Sequence, residues 1–245
     1  MLVLVFGTEM ISSDTDTMRH ITTVILDLDD TLWDLPLVIS HAEQVIYAWF
    51  SEEYPRINER FSIADLRGLR ENIALEHPTQ DHDLIFLREQ TYRRLAQMCG
   101  YDESLYTEAL AVFQRARNEV TLYTDVEPAL RSLSQSHRLL ALTNGNADLS
   151  AIGLDVFFDG IYTARDLGWA KPDPKVFLAV CKHAGVEPGE VLHVGDDPRN
   201  DVDAPRAMGM AAVWVNRRDR VWPADLELPV HEISDLTPLA VMLNS

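Results

Sequence analysis

Only two of the 245 residues are cysteines, Cys99 and Cys181, and they form neither a CxxC pair nor a Cys/His spacing of the kind that holds zinc. This argues against a disulfide framework and a zinc centre, and it leaves free thiols in a reducing, cytoplasmic setting as the simple expectation. No GxG and no Walker-type lysine motif occurs, so dinucleotide and P-loop chemistry lose their usual fingerprints. Basic residues are scarce, 21 against 39 acidic, and the formal net charge of -18 predicts a surface that repels nucleic acid and anionic membrane. Neither is expected as a partner. The one basic cluster, Arg217, Arg218 and Arg220, follows a predicted strand and reads as a solvated turn. No apolar run reaches the length of a membrane span.

The opening MLVLVF is too short for a signal core, has no basic residue before it, and runs directly into the polar EMISSDTDT. Met18 stands just ahead of the first clear strand. Residues 1–17 therefore read as a flexible extension or as a start placed ahead of Met18, alternatives that the intact mass of the native protein distinguishes. Repeats, low-complexity tracts and Gly/Ser linkers are also lacking. What remains is 47% hydrophobic, enough for one sizeable core or a core plus a smaller insert.

Two textures alternate in the rest of the chain. ITTVILDLDDT carries the continuous apolar run Val24-Ile25-Leu26 and then ends abruptly in acids, as suits a parallel strand buried on both faces. Similar runs recur at 137–143, 190–195 and 211–215, with helical patterns at 128–133, 174–184 and 203–208 between or before them. Strand alternating with helix predicts a doubly wound parallel α/β sheet, because parallel neighbours need crossover connections. Residues 35–120 differ. Val38, Ala42, Val45, Ile46 and Trp49, then Leu84, Leu87, Tyr92 and Leu95, then Leu105, Ala109, Val112 and Phe113 all follow helical spacing. This stretch reads as an all-helical insert, with crossings near Asp34 to Pro36 and Thr121 to Asp125. Residues 18–34 and 121–245 form the α/β core in this reading.

In open α/β sheets ligands bind beyond the carboxyl ends of the strands, where Asp27, Thr143 and Asp196 all fall. Asp27 and Asp29 flank Leu28. Two carboxylates so close at the end of a buried strand repel each other unless a cation or a shared proton compensates. Asp196, Asp197 and Asp201 add further acids, and all-oxygen ligation of this kind suits magnesium rather than zinc. The plainer alternatives are an Asp-rich turn capping a helix for the first cluster and a helix N-cap, at Asn200 or Asp201, for the second. Thr143 is followed by Asn144-Gly145-Asn146, where a hydroxyl and free backbone amides cradle a phosphate or, more blandly, an Asn-Gly turn forms. Lys171, in Ala170-Lys-Pro-Asp-Pro174, is a surface lysine if taken alone. Beside several carboxylates and a phosphate it neutralises charge that one dication cannot cover.

These residues together resemble the haloacid dehalogenase superfamily: Asp27-Leu-Asp29-Asp-Thr31 as its first motif, Thr143-Asn144-Gly145 as its second, Lys171-Pro172 as its third and Gly195-Asp196-Asp197 with Asp201 as its fourth. Only the first gap between motifs leaves room for a cap, which resembles the family's helical C1 type on a Rossmann-like core. The resemblance implies a phosphatase in which Asp27 is the nucleophile and Asp29 the acid and base, holding a proton at the start. Magnesium then sits with the Asp27 carboxylate, the Asp29 backbone carbonyl and Asp196, while Asp201 orients the shell. Thr143, the Asn144 amide, Gly145 and Lys171 hold the phosphoryl oxygens. The family's dehalogenases lack the second aspartate of the first motif and use no metal, whereas Asp29 and Asp196 are both present here. A phosphomutase uses the same acids and stays open, as does a non-catalytic binding module of this fold.

LDLDDTLWD, LTNGNADL and LHVGDDPRNDV are similar to bacterial phosphatases that act on flavin mononucleotide and on the phosphorylated ribitylaminouracil of riboflavin synthesis. A small phosphate ester is thus the expected partner. Trp33 either stacks on such a ring at the pocket mouth or packs between the first-motif loop and the cap. Tyr47, Trp49 and Phe50 read as cap core, and His77 and His82 as solvated. Nothing in the sequence separates a monomer from a dimer.

Overall fold

A computed structural model describes Met18 and residues 20–244. The proposed extension over residues 1–17 lies outside the described residues. Six parallel strands form one sheet: β1 (Thr23–Leu26), β2 (Arg138–Thr143), β3 (Gly160–Thr163), β4 (Val191–Gly195), β5 (Ala211–Val215) and β6 (His231–Ile233), in the spatial order β3-β2-β1-β4-β5-β6. β1 is central because its four residues are apolar or β-branched and all buried. Its side chains alternate between two layers. Val24 and Leu26 enter an apolar cluster with Val126, Leu130 and Leu239, and Ile25 enters another with Val176 and Phe177 on the opposite face.

Chain order reverses at β1, which hydrogen-bonds β2 on one side and β4 on the other. That switch point opens a crevice at the carboxyl ends of these three strands. β3 and β6 escaped the sequence reading because both are short and lie at the edges of the sheet, where partial exposure removes the continuous apolar run.

Five helices, α1 (Leu35–Glu53), α2 (Pro55–Asn58), α3 (Ile63–Glu76), α4 (Leu84–Cys99) and α5 (Leu105–Arg117), follow one another between β1 and the rest of the sheet. Asp34 starts α1, accepting a hydrogen bond from the Leu37 N–H, and Pro36 in the first turn needs no amide partner. These helices have their own apolar cluster, in which Ala42, Ile46, Phe50, Tyr92, Leu95 and Phe113 take part. The segments entering and leaving them pair with each other: Tyr123 N–H donates to Leu32 O at 3.0 Å, and Trp33 bridges Leu122. The helical layer is therefore tied down beside the first-motif loop.

Toward the C-terminus come α6 (Val126–Leu133), α7 (Leu149–Ile152), α8 (Ala164–Leu167), α9 (Pro174–Ala184), α10 (Ala204–Ala207) and α11 (Leu239–Asn244). Among the described residues no helix is long and apolar enough to cross a membrane. Both cysteines are buried and free.

Candidate active site

Two neighbouring strand ends deliver acids to one point. Asp27 follows β1, with its N–H bonded to Val194 O at 2.9 Å, and Asp196 follows β4. Asp201 lies one turn further on, in a six-residue π-helical segment, Pro198–Asp203. The cap of that segment is neither Asn200 nor Asp201. It is Asp197, which accepts from the N–H groups of Arg199 and Asn200 and so frees Asp201 to turn inward. Gly195 makes the turn possible, since a Cβ there would stand 2.4 Å from Asp201 Cγ.

Asp27, Asp196 and Asp201 each present a carboxylate oxygen within 4.8 Å of the others. Lys171 Nζ bridges two of them, donating to Asp27 Oδ1 at 2.7 Å and Asp201 Oδ1 at 2.6 Å with 4% of the residue exposed. The remaining Asp201 oxygen accepts the Asp197 N–H at 3.0 Å. Lys171 is thus a buried bridge and not a surface lysine. Burial alone would depress its ammonium, but Asp201 and Asp27 outweigh that and hold it charged. Burial, reinforced by Asp201 and Asp196, pushes the Asp27 carboxyl well up despite Lys171. Asp196 is pushed up to about 6, by burial and by Asp201, against the opposing pull of Arg220. Three carboxylates against the Lys171 ammonium and the Arg220 guanidinium still leave an excess of negative charge, which a hard cation on oxygen ligands would relieve.

The second and third motifs lock to each other through Asn144. Its side chain donates to Lys171 O and accepts from Lys171 N, both at 2.8 Å. The Thr143 hydroxyl accepts the Gly145 N–H at 2.8 Å and keeps its own proton to donate. Gly145 lets Asp29 come close: a Cβ at this position would lie 2.3 Å from Asp29 Oδ2. Lacking that atom, the loop after β2 meets the loop after β1.

Asp29 is held from the helical side. Its Oδ1 accepts from Trp33 Nε1 at 2.8 Å and from Arg117 Nη2, at the end of α5, at 2.5 Å. The acids that crowd Asp29 in sequence are not its partners: the contacts it makes are a guanidinium and an indole. Trp33 itself is 0% exposed, so of the two readings it has the packing one, and no ring face is free to stack on a ligand. The solvated-turn reading of Arg217, Arg218 and Arg220 is also overturned. Arg217 makes a two-pronged contact with Asp125, Arg218 pairs with Asp30 and Asp34, and Arg220 donates to Asp196 Oδ2 at 2.7 Å. Neither Arg117 nor Arg220 carries a local signal, because an arginine in a last helical turn or a loop is ordinarily solvated.

Residues 21–209 match the family model described as haloacid dehalogenase-like hydrolase. The chain belongs to that family. As a haloacid dehalogenase-like hydrolase it is an enzyme. It is 29% identical over 234 residues to the 5-amino-6-(5-phospho-D-ribitylamino)uracil phosphatase YigB of Escherichia coli, covering 92% of this chain and 98% of the relative. A phosphoserine phosphatase of Thermus thermophilus is 32% identical over 240 residues, covering 87% and 95%. A solved structure titled 2-haloacid dehalogenase, from Pseudomonas syringae, superimposes with a TM-score of 0.86 at 35% identity, covering 91% of this chain and 98% of that one.

Between the Asp29 loop and the helical layer of this hydrolase lies a cavity of about 390 Å³, lined among others by Asp29, Arg70, Arg88, Arg117 and Asn146. That volume falls within the ~300–1,000 Å³ of small-molecule sites. Asp29 therefore faces a chamber, whose lining does not include the buried Asp27 and Lys171.

Proposed function

We propose that the chain is a magnesium-dependent phosphatase that hydrolyses small-molecule phosphate monoesters through an aspartyl-phosphate on Asp27. The observation that carries this reading is the bridge from Lys171 to both Asp27 and Asp201, with Asp196 alongside. Such a constellation keeps an excess anion and a fixed cation at one point, which suits phosphoryl transfer, where catalysis is mainly positioning and charge stabilisation.

An Asp27 carboxylate oxygen attacks phosphorus as the bond to the leaving oxygen breaks. Asp29 gives its proton to that oxygen, then takes one from the water that cleaves the acyl phosphate, releasing inorganic phosphate and restoring both carboxyl groups. Lys171, the Thr143 hydroxyl and the backbone N–H of Asn144 stabilise the non-bridging oxygens. Asp27, the Asp29 carbonyl and Asp196 are the residues that would hold magnesium, with Asp201 orienting them. Its chemistry there is charge compensation, favouring ionised carboxylates and an anionic phosphate over their mutual repulsion. The helical layer serves as the cap that shields this chemistry from water.

Phosphate release from p-nitrophenyl phosphate, with and without magnesium, tests the reading. Turnover that needs the metal and vanishes in Asp27→Asn is the expected result; a variant keeping a tenth of the normal rate refutes the nucleophile. Similarity to the structure titled 2-haloacid dehalogenase supports a second reading, metal-free release of halide from a 2-haloacid. The Asp29 and Asp196 carboxylates weigh against it, and chloride release from 2-chloropropionate separates the two. Similarity to YigB brings flavin mononucleotide and the phosphorylated ribitylaminouracil into the substrate panel. The burial of Trp33 removes the stacking platform that favoured a flavin ring.

A further inference from the structure

The helical side of the chamber brings three arginines, Arg70, Arg88 and Arg117, to the cavity that Asp29 lines. Among the described residues Arg70, on α3, forms no hydrogen bond or ion pair with a carboxylate, and Arg88, on α4, packs its guanidinium 3.3 Å from the centroid of the Phe113 ring. These two arginines feel each other. After burial, Arg88 is the largest influence lowering the Arg70 pKa, ahead of the opposing pull of Glu43 and Glu71. Arg117 completes the set: one of its nitrogens holds Asp29, and its Nη1 is buried without a partner.

Glu71 and Asp81 also line the cavity, but both are solvent-exposed residues. Glu43 is committed to Arg67. Like charges held together in a partly desolvated wall are unfavourable until an anion joins them, and guanidinium forks match oxyanions in two-pronged geometry. In a chain of net charge -18 such a wall stands out against its surroundings.

We infer that the chamber selects phosphate esters whose leaving group carries a second anion, a carboxylate or a further phosphate, received by Arg70 and Arg88 with the free Nη1 of Arg117. The inference rests on the phosphatase reading and deepens it. The leaving oxygen must face Asp29 to collect its proton, so the remainder of the leaving group extends into the cavity that Asp29 lines. Arg70 and Arg88 line the same cavity. A neutral substituent there leaves the arginine pair uncompensated, whereas an anionic one forms charge-assisted hydrogen bonds, the strong class.

Matched substrate pairs test this with the whole protein and magnesium. 3-Phosphoglycerate against glycerol 3-phosphate differs by a carboxylate, and 1,3-propanediol bisphosphate against 3-hydroxypropyl phosphate differs by a phosphate. The expected result is a kcat/KM at least about tenfold higher for the charged member of one or both pairs, equivalent to ~1.4 kcal/mol. Which pair shows the gain identifies the anion. The ratio should shrink with added salt and collapse toward one in Arg70→Met and in Arg88→Met. Ratios near one in the wild-type protein, or a flavin mononucleotide kcat/KM above every charged substrate, overturn the inference while leaving the phosphatase reading intact. Absence of magnesium-dependent hydrolysis of any ester overturns that reading, and the inference with it.

Discussion

Arg117 Nη2 lies 2.5 Å from Asp29 Oδ1, joining the end of the helical layer to the loop after the first strand across 88 positions of sequence. The arginine is 1% exposed on its side chain and the aspartate 13%, so the contact is shielded from solvent. With Trp33 Nε1 on the same oxygen, the carboxyl is fixed in rotation and its Oδ2 is directed at the loop carrying Gly145. In the proposed mechanism, where Asp29 is the proton donor, Arg117 is its positioning residue.

Arg117→Met should lower kcat about 10²-fold on alkyl phosphates, the order expected when a catalytic group is misplaced by ~1 Å. p-Nitrophenyl phosphate should suffer far less, since its leaving group departs without needing a proton. Arg117→Lys should recover part of the loss. Equal losses on both substrates would show that the residue only supports the fold.

Gly195→Ala should displace Asp201, because the new methyl would sit 2.4 Å from its Cγ. The expected cost is ~1–3 kcal/mol of stability from overpacking. Magnesium half-saturation should rise in parallel, as Asp201 swings away from Lys171. Thermal denaturation and a magnesium titration of activity check the two effects; unchanged half-saturation would detach Asp201 from the metal shell.

Magnesium should raise the melting temperature of the wild-type protein, since a ligand that binds only the folded state stabilises it by about 2.7 kcal/mol at 100 times its dissociation constant. Asp196→Asn should abolish that rise. Calorimetry without substrate reads this directly, and a persistent shift in the variant would place the ion elsewhere.

Asp125 and Arg217 should anchor the base of the site, with side chains 12% and 8% exposed and hydrogen bonds of 3.0 and 2.7 Å. Burial would raise the Asp125 carboxyl, but the hydrogen bonds from Arg217 and the Leu236 N–H hold it below the usual carboxylate range. A lowered folded pKa gives stability that is complete above the unfolded value of ~3.9 and lost as pH falls through the folded one. Asp125→Asn should therefore cost about 3 kcal/mol at neutral pH, as for a broken buried pair, and progressively less below pH ~4. Melting temperatures across pH 3 to 7 check it; a constant difference would remove the linkage.

Local patterning alone specifies the doubly wound sheet, four of its six strands and the acids at their ends. Apolar runs that stop at charged residues are local features, and a buried parallel strand cannot be written otherwise. It also marked Lys171, whose neighbours Pro172 and Pro174 hold a loop. Which charges meet is set by the packing of distant segments. Arg117 reaches Asp29, Arg220 reaches Asp196, Arg217 reaches Asp125, and Arg70 feels the like charge of Arg88. A long flexible side chain has no period and no fixed direction in a sequence, so an arginine reads as solvated until packing removes the water around it. Trp33 shows the same limit, because a ring that can either stack on a ligand or fill a core has its choice made by the helices folded over it.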